Sequence, residues 1–104
     1  MTAFADAVDD LFNDPNMGHD ALYFAAGQGA GRPVRVVKRL PDRIGNFTEG
    51  RFVAESVLID VRLSEVAHLQ RDDTFQIAGV TYQVRSDPVR DTMRLVWAAE
   101  AREI

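Results

Sequence analysis

Four aspartates, Asp72, Asp73, Asp87 and Asp91, are the residues of this sequence with the most evident capacity for chemistry. Clustered carboxylates can hold calcium, or share a proton in general acid–base work. Asp72-Asp73, however, directly precedes a strand-like run, and aspartates there hydrogen-bond their own turn backbone. A turn is the favoured reading. Gly27-x-Gly29-x-Gly31 invites a nucleotide reading. A phosphate loop needs a lysine and Ser/Thr after its last glycine, or a βαβ unit around it. Arg32-Pro33 follows instead, so a flexible connector is favoured. His19 and His68 have no neighbours at metal-ligand spacing, and without cysteine no thiolate zinc site can form. No Gly-x-Ser-x-Gly elbow marks a serine nucleophile. A basic run, Arg32, Arg35, Lys38, Arg39 and Arg43, could meet phosphate. At alternate spacing on a strand, it reads more simply as a solvent face.

The elements that must position these residues are mostly strands. A short amphipathic helix comes first, over residues 2–12. Thr2 can cap it, and Phe4, Val8, Leu11 and Phe12 form one apolar stripe. Pro15 stops it by restricting the residue before it. A helix of about three turns is marginal alone in water, so it needs a partner surface, either its own β core or another chain. Strands follow at Ala21–Phe24, Val34–Leu40 and Val53–Arg62, the last with Val57, Ile59 and Val61 on one face. Ser64–Leu69 looks like one helical turn, with Ser64 as its cap and Val66 and Leu69 inward. Thr74–Ile77 and Val80–Arg85 form a hairpin around Ala78-Gly79. Met93, Leu95 and Trp97 alternate with Arg94, Val96 and Ala98 in a final strand. This order predicts a mostly β single domain over 1–104: a small β-sandwich or barrel of about six strands, with a helical arm at 1–16.

Composition narrows the function classes. A chain of 104 residues makes one modest core. The net charge of −4 gives no global basic excess for gripping nucleic acid. The longest apolar runs are too short to span a membrane, and the N-terminus lacks a signal-peptide pattern. Residues 41–52 have no clear period and read as a long mobile loop, a length that is usually functional or disordered. Arg43, Ile44, Phe47 and Arg51 mix arginine, aliphatic and aromatic side chains there, as interfaces do. Phe4, Val8, Leu11 and Phe12 of the arm join them as candidate interface residues. No catalytic, cofactor or metal residue is expected.

Ser64, Glu65, Val66, Leu69, Arg71, Asp73, Thr74, Tyr82 and Val84, in that order within Leu63–Val84, resemble the head–tail joining proteins of lambdoid tailed phages. In that family a Ser/Thr-x-Glu-Val-x-x-Leu turn leads to Arg-Gly-Asp-Thr and then a hairpin. Asp72 replaces the glycine, which puts the geometry of that turn in question. Phe4-Ala5-Asp6 and Leu11-Phe12 resemble the family's opening, whereas residues 18–52 do not align.

The resemblance implies a structural virion protein without enzymatic activity or cofactor. It implies a self-associated ring between the head's portal or adaptor proteins and a tail-terminator or tail-tube protein. DNA would pass through that ring without being read by sequence. It further implies assembly in the host cytoplasm, a final place in the virion neck, and an arm and loops that become ordered only on docking. Against it stand a small metal- or nucleotide-binding module or enzyme built on Gly27–Gly31 and the aspartates, a DNA-binding module using the basic run, and a minor tail-completion β module.

Overall fold

The computed structural model describes residues 3–39 and 56–104. The interface candidates Arg43, Ile44, Phe47 and Arg51, and the expected 41–52 loop, lie outside the described residues. Among the described residues one α-helix, α1 (Ala3–Asn13), precedes seven strands: β1 (His19–Phe24), β2 (Arg32–Arg39), β3 (Ser56–Arg62), β4 (Thr74–Ile77), β5 (Val80–Val84), β6 (Val89–Arg90) and β7 (Val96–Glu103).

The hydrogen-bonded order is β3-β2-β1-β4-β5-β7, and β7 returns to β3, closing a six-stranded antiparallel barrel. The closing seam is long, with seven register pairs from Ser56↔Arg102 to Arg62↔Val96. β6 is an extra strand beside the first half of β7, with Val89 opposite Ala98. Alternation decides which side chains enter the barrel. Val34 and Val36, Val57, Ile59 and Val61, and Phe75 and Ile77 all point inward. Val66 and Leu69, from the connection after β3, join the same cluster.

The β4–β5 hairpin turns on two residues, Ile77 pairing with Val80. Ala78 and Gly79 both have positive φ, 52° and 82°. That left-handed pair matches strand twist in a two-residue hairpin, but only the glycine adopts it without strain.

Three stretches depart from the sequence expectation. Residues 63–68 form two successive turns. One bond of helical spacing, from the Val66 amide to the Arg62 carbonyl, closes the first and is not continued into a helix. Val66 and Leu69 are nonetheless buried, as the spacing suggested. Val89-Arg90, outside every strand expected from the sequence, is strand β6. The last strand starts at Val96 rather than Met93 and runs to Glu103. Its Ala-Ala-Glu-Ala-Arg-Glu stretch, the last six of eight residues, has weak β-propensity. Pairing with β3 on one side and β5 on the other holds it extended.

Candidate docking site

The arm helix packs on the outer wall of the barrel, and two arginines hold it there. Phe12 is 1% exposed yet lies outside the barrel's interior cluster. The Arg62 guanidinium stacks on its ring, 5.2 Å from the centroid. Arg62 also donates to Asp9 of the helix and to Glu65, each at 2.9 Å. Arg35 reaches the other end. Its Nε donates to the Phe12 carbonyl at 3.0 Å, its Nη2 to the Asp14 carbonyl at 3.4 Å, and its Nη1 to the Asp20 carboxylate at 2.9 Å. A cation at the last carbonyls of a helix satisfies orphan acceptors and opposes the negative end of the dipole. The chain leaves α1 through Gly18, where a Cβ would lie 2.0 Å from the Phe12 carbonyl oxygen. No residue larger than glycine fits there while the arm is docked.

Docking splits the apolar stripe. Phe12 is consumed by the barrel wall and Val8 is half-buried, whereas Phe4 (62% exposed) and Leu11 (43%) face solvent. Between arm and barrel lies an open, mainly apolar groove of about 440 Å³, lined by Ala5, Val8, Asp9, Arg62, Leu63, Ser64, Arg94 and Leu95.

On the far side of Arg94 a second groove, of about 670 Å³, is lined by Pro88, Val89, Arg90, Asp91, Thr92, Arg94 and Trp97. The segment that forms it is well braced. The Asp91 carboxylate accepts from the Leu95 and Val96 amides at 2.7 and 3.0 Å, and the Arg94 amide donates to the Asp91 carbonyl. These bonds, the one to Val96 foremost, hold the Asp91 carboxyl below its usual pKa. They also keep Arg94 at φ 57°, a conformation that side chains other than glycine seldom adopt. Arg90 lies over the Trp97 ring, whose Nε1 donates to the Val66 carbonyl at 2.8 Å.

The Leu63–Val84 segment carries a third feature. Asp73 is buried, and its carboxylate accepts from Tyr23 Oη at 2.6 Å, the Ala26 amide at 2.8 Å and the Gln70 amide at 2.9 Å. It thereby ties the end of β1, the turn after it and the turn before β4 into one unit. Burial, and then the hydrogen bond to the carboxylate, push the Tyr23 phenol well above its ordinary value. Asp72 has φ 79°, which fits a position where the resembling family has glycine. A buried carboxylate with three donors of this kind braces the backbone.

The other candidates disperse. Asp87 lies 3.6 Å from Arg71, and Asp91 and Asp73 each serve their own loops. Among the described residues no three histidines or acids are grouped to hold a metal. Gly27, Gly29 and Gly31 all have positive φ and lead into β2, as a connector would. The described members of the basic run are engaged within the chain. Arg39 makes a two-pronged pair with Asp60, Lys38 sits over the Tyr82 ring, and Arg32 bonds the Glu65 carbonyl. Sequence reasoning missed Arg62 and the 88–94 face. Arg62 could not be found because Asp9 and Phe12 are distant in the chain. The 88–94 face left one signal, two arginines close to exposed Val89 and Met93.

The sequence model of the family described as Phage Head-Tail Attachment protein matches residues 1–101. A search of curated proteins finds no match. Among solved structures, the solution structure of protein SF1141 from Shigella flexneri 2a superposes with a TM-score of 0.61 at 12% identity, covering 88% of this chain and 96% of that one. At that identity the likeness speaks for the shared fold alone. No helix among the described residues is long and apolar enough to cross a membrane.

Proposed function

The chain belongs to the phage head–tail attachment protein family, and from that premise we propose that it works as a ring of copies below the portal, through which the DNA passes. Its role is structural, joining phage head to tail. The match over residues 1–101 carries this reading, because it takes in the arm and all of the barrel but the last two residues of β7. On the head side the ring would meet the portal or adaptor proteins. On the tail side it would meet a tail-terminator or tail-tube protein. Its place is the virion neck, after folding in the host cytoplasm.

The wall chemistry supports passage without reading. The described cations of β2 are turned to their own chain's acids, carbonyls and rings, so they form no free basic stripe of the kind that grips a phosphate backbone. Asp73, whose buried carboxylate is taken up by three donors of its own chain, supports a non-catalytic role. The interface is assigned to the outer flank of the arm, Phe4 and Leu11 with Val8 beside them and Phe12 as the anchor. Arg43, Ile44, Phe47 and Arg51 complete it in the proposed 41–52 loop. The single domain thus offers an arm and a loop to its neighbours.

The test is complementation. Purified protein added to filled, tail-less heads that lack it should restore tail attachment and infectivity. Heads that stay tail-less in the phage encoding this chain would overturn the reading.

A further inference from the structure

Two exposed patches of this molecule match each other in chemistry. The first is the outer half of α1. Phe4 and Leu11 lie one above the other at i and i+7, with the exposed carboxylates of Asp6 and Asp10 on the same solvent-facing half. The second is the 88–94 segment. It exposes Val89 (66%) and Met93 (51%), together with Arg90 and Arg94. Neither arginine has a carboxylate partner among the described residues, and neither Asp6 nor Asp10 has a cation there. One patch is apolar and acidic, the other apolar and basic. The chain as a whole is acidic, at −4, so two copies repel each other unless such unlike patches meet.

We propose that the 88–94 face receives the outer flank of the arm helix from a second copy of this chain. Phe4 and Leu11 would lie against Val89 and Met93, while Asp6 and Asp10 pair with Arg90 and Arg94. Apolar anchors ringed by complementary charge are the usual form of an interface centre, with the charges fixing register and suppressing wrong pairings. The receiving face is preorganised: the Asp91 bonds to the Leu95 and Val96 amides fix the loop before anything docks, so little ordering entropy is lost there. Donor and acceptor patches consist of different residues, so each copy can give its arm to one neighbour and receive an arm from another, which is how a ring closes. This inference rests on the ring reading above and names the surfaces that build it.

The chain has no cysteine, so introduced thiols report one contact at a time. Full-length Phe4→Cys/Val89→Cys, bound to filled heads and treated with a short bismaleimide, should give a ladder of covalent multimers. Phe4→Cys/Gln28→Cys, with its second thiol on the β1–β2 connector, should stay monomeric. Two charge reversals are then placed in the ladder-forming background. Asp6→Lys/Asp10→Lys and Arg90→Glu/Arg94→Glu should each lower ladder yield at least about fivefold alone. Mixed one to one they should restore it, because the reversed arm now meets a reversed face. All the reversed residues are exposed, and unchanged melting temperatures verify the folds. Equal ladders from the Gln28 control, reversals without effect, or a mixture that stays monomeric would each overturn the contact. If wild-type protein attaches tails yet no ladder forms, the contact alone fails. If wild-type protein does not attach tails, the ring reading fails first.

Discussion

Replacing Phe12 with alanine should release the arm while leaving the barrel closed. Phe12 is the arm's apolar anchor, fully buried but outside the interior cluster. Truncating a buried phenylalanine typically costs about 3–5 kcal/mol. The arm has little to offset that. Its 11-residue helix is too short to persist alone in water, and its other ties include the half-exposed Asp9–Arg62 pair and the Arg35 bonds to the Phe12 and Asp14 carbonyls. A part-exposed ion pair contributes about 0–1 kcal/mol. Losing about 3 kcal/mol or more therefore exceeds what holds the helix down. Native-state hydrogen exchange reads this directly. In Phe12→Ala the α1 amides should exchange at nearly the unfolded rate, while the β3 and β7 amides keep most of their protection. Global stability should fall only by the net worth of docking, since the barrel's own core is intact. Protected α1 amides in the variant, or barrel strands that lose protection together with the arm, would refute the reasoning. In the first case Phe12 is not the anchor. In the second the arm and barrel are one cooperative unit.

Other outcomes follow from the same bonds. Asp73→Asn should keep an oxygen for Tyr23 and Gln70 but turn an NH2 on the Ala26 amide, costing about 2 kcal/mol. A fall in the urea midpoint at unchanged m-value checks it, with exposed Asp72→Asn as a near-neutral control. Tyr23 has its phenol raised above the ordinary 10.0, so its contribution is complete below pH 10 and is lost as pH climbs above it. Wild-type stability should therefore fall more steeply above pH 10 than that of Tyr23→Phe, as followed by denaturant melts across that range. Ala78→Asn places a residue tolerant of positive φ in the β4–β5 turn, and should raise stability by about 0.5–1 kcal/mol, read as a melting temperature a few degrees higher.

The barrel was legible in the sequence wherever alternation was strict. Val57, Ile59 and Val61 point inward as their spacing demands, and Ala78-Gly79 announces its hairpin. The alanine-rich end of β7 was not legible, because its strand state comes from β3 and β5 rather than from its own propensities. The arm was half legible. The period of Phe4, Val8, Leu11 and Phe12 marks a helix but not its rotation on the wall. Arg35 and Arg62 set that rotation by gripping one end and one face. In a sequence those two are merely basic residues, and the acids and carbonyls they hold become neighbours only in the fold. The resemblance over Leu63–Val84 points to the brace around Asp73 and to the 63–68 turns, which are parts of the scaffold. The surfaces proposed to meet partners lie elsewhere, on α1 and at 88–94.

Closure of β3 on β7 also decides how such a molecule can wait. An open sheet displays rows of unpaired amides and carbonyls that will zip onto any like chain, native partner or not. Among the described residues each barrel strand is hydrogen-bonded to a neighbour on both sides, and the extra strand β6 offers an outer edge of only two residues, Val89 and Arg90. The described strands therefore give copies in a crowded cell almost no backbone through which to aggregate. Along these strands it falls to side chains to tell a proper neighbour from a stray one.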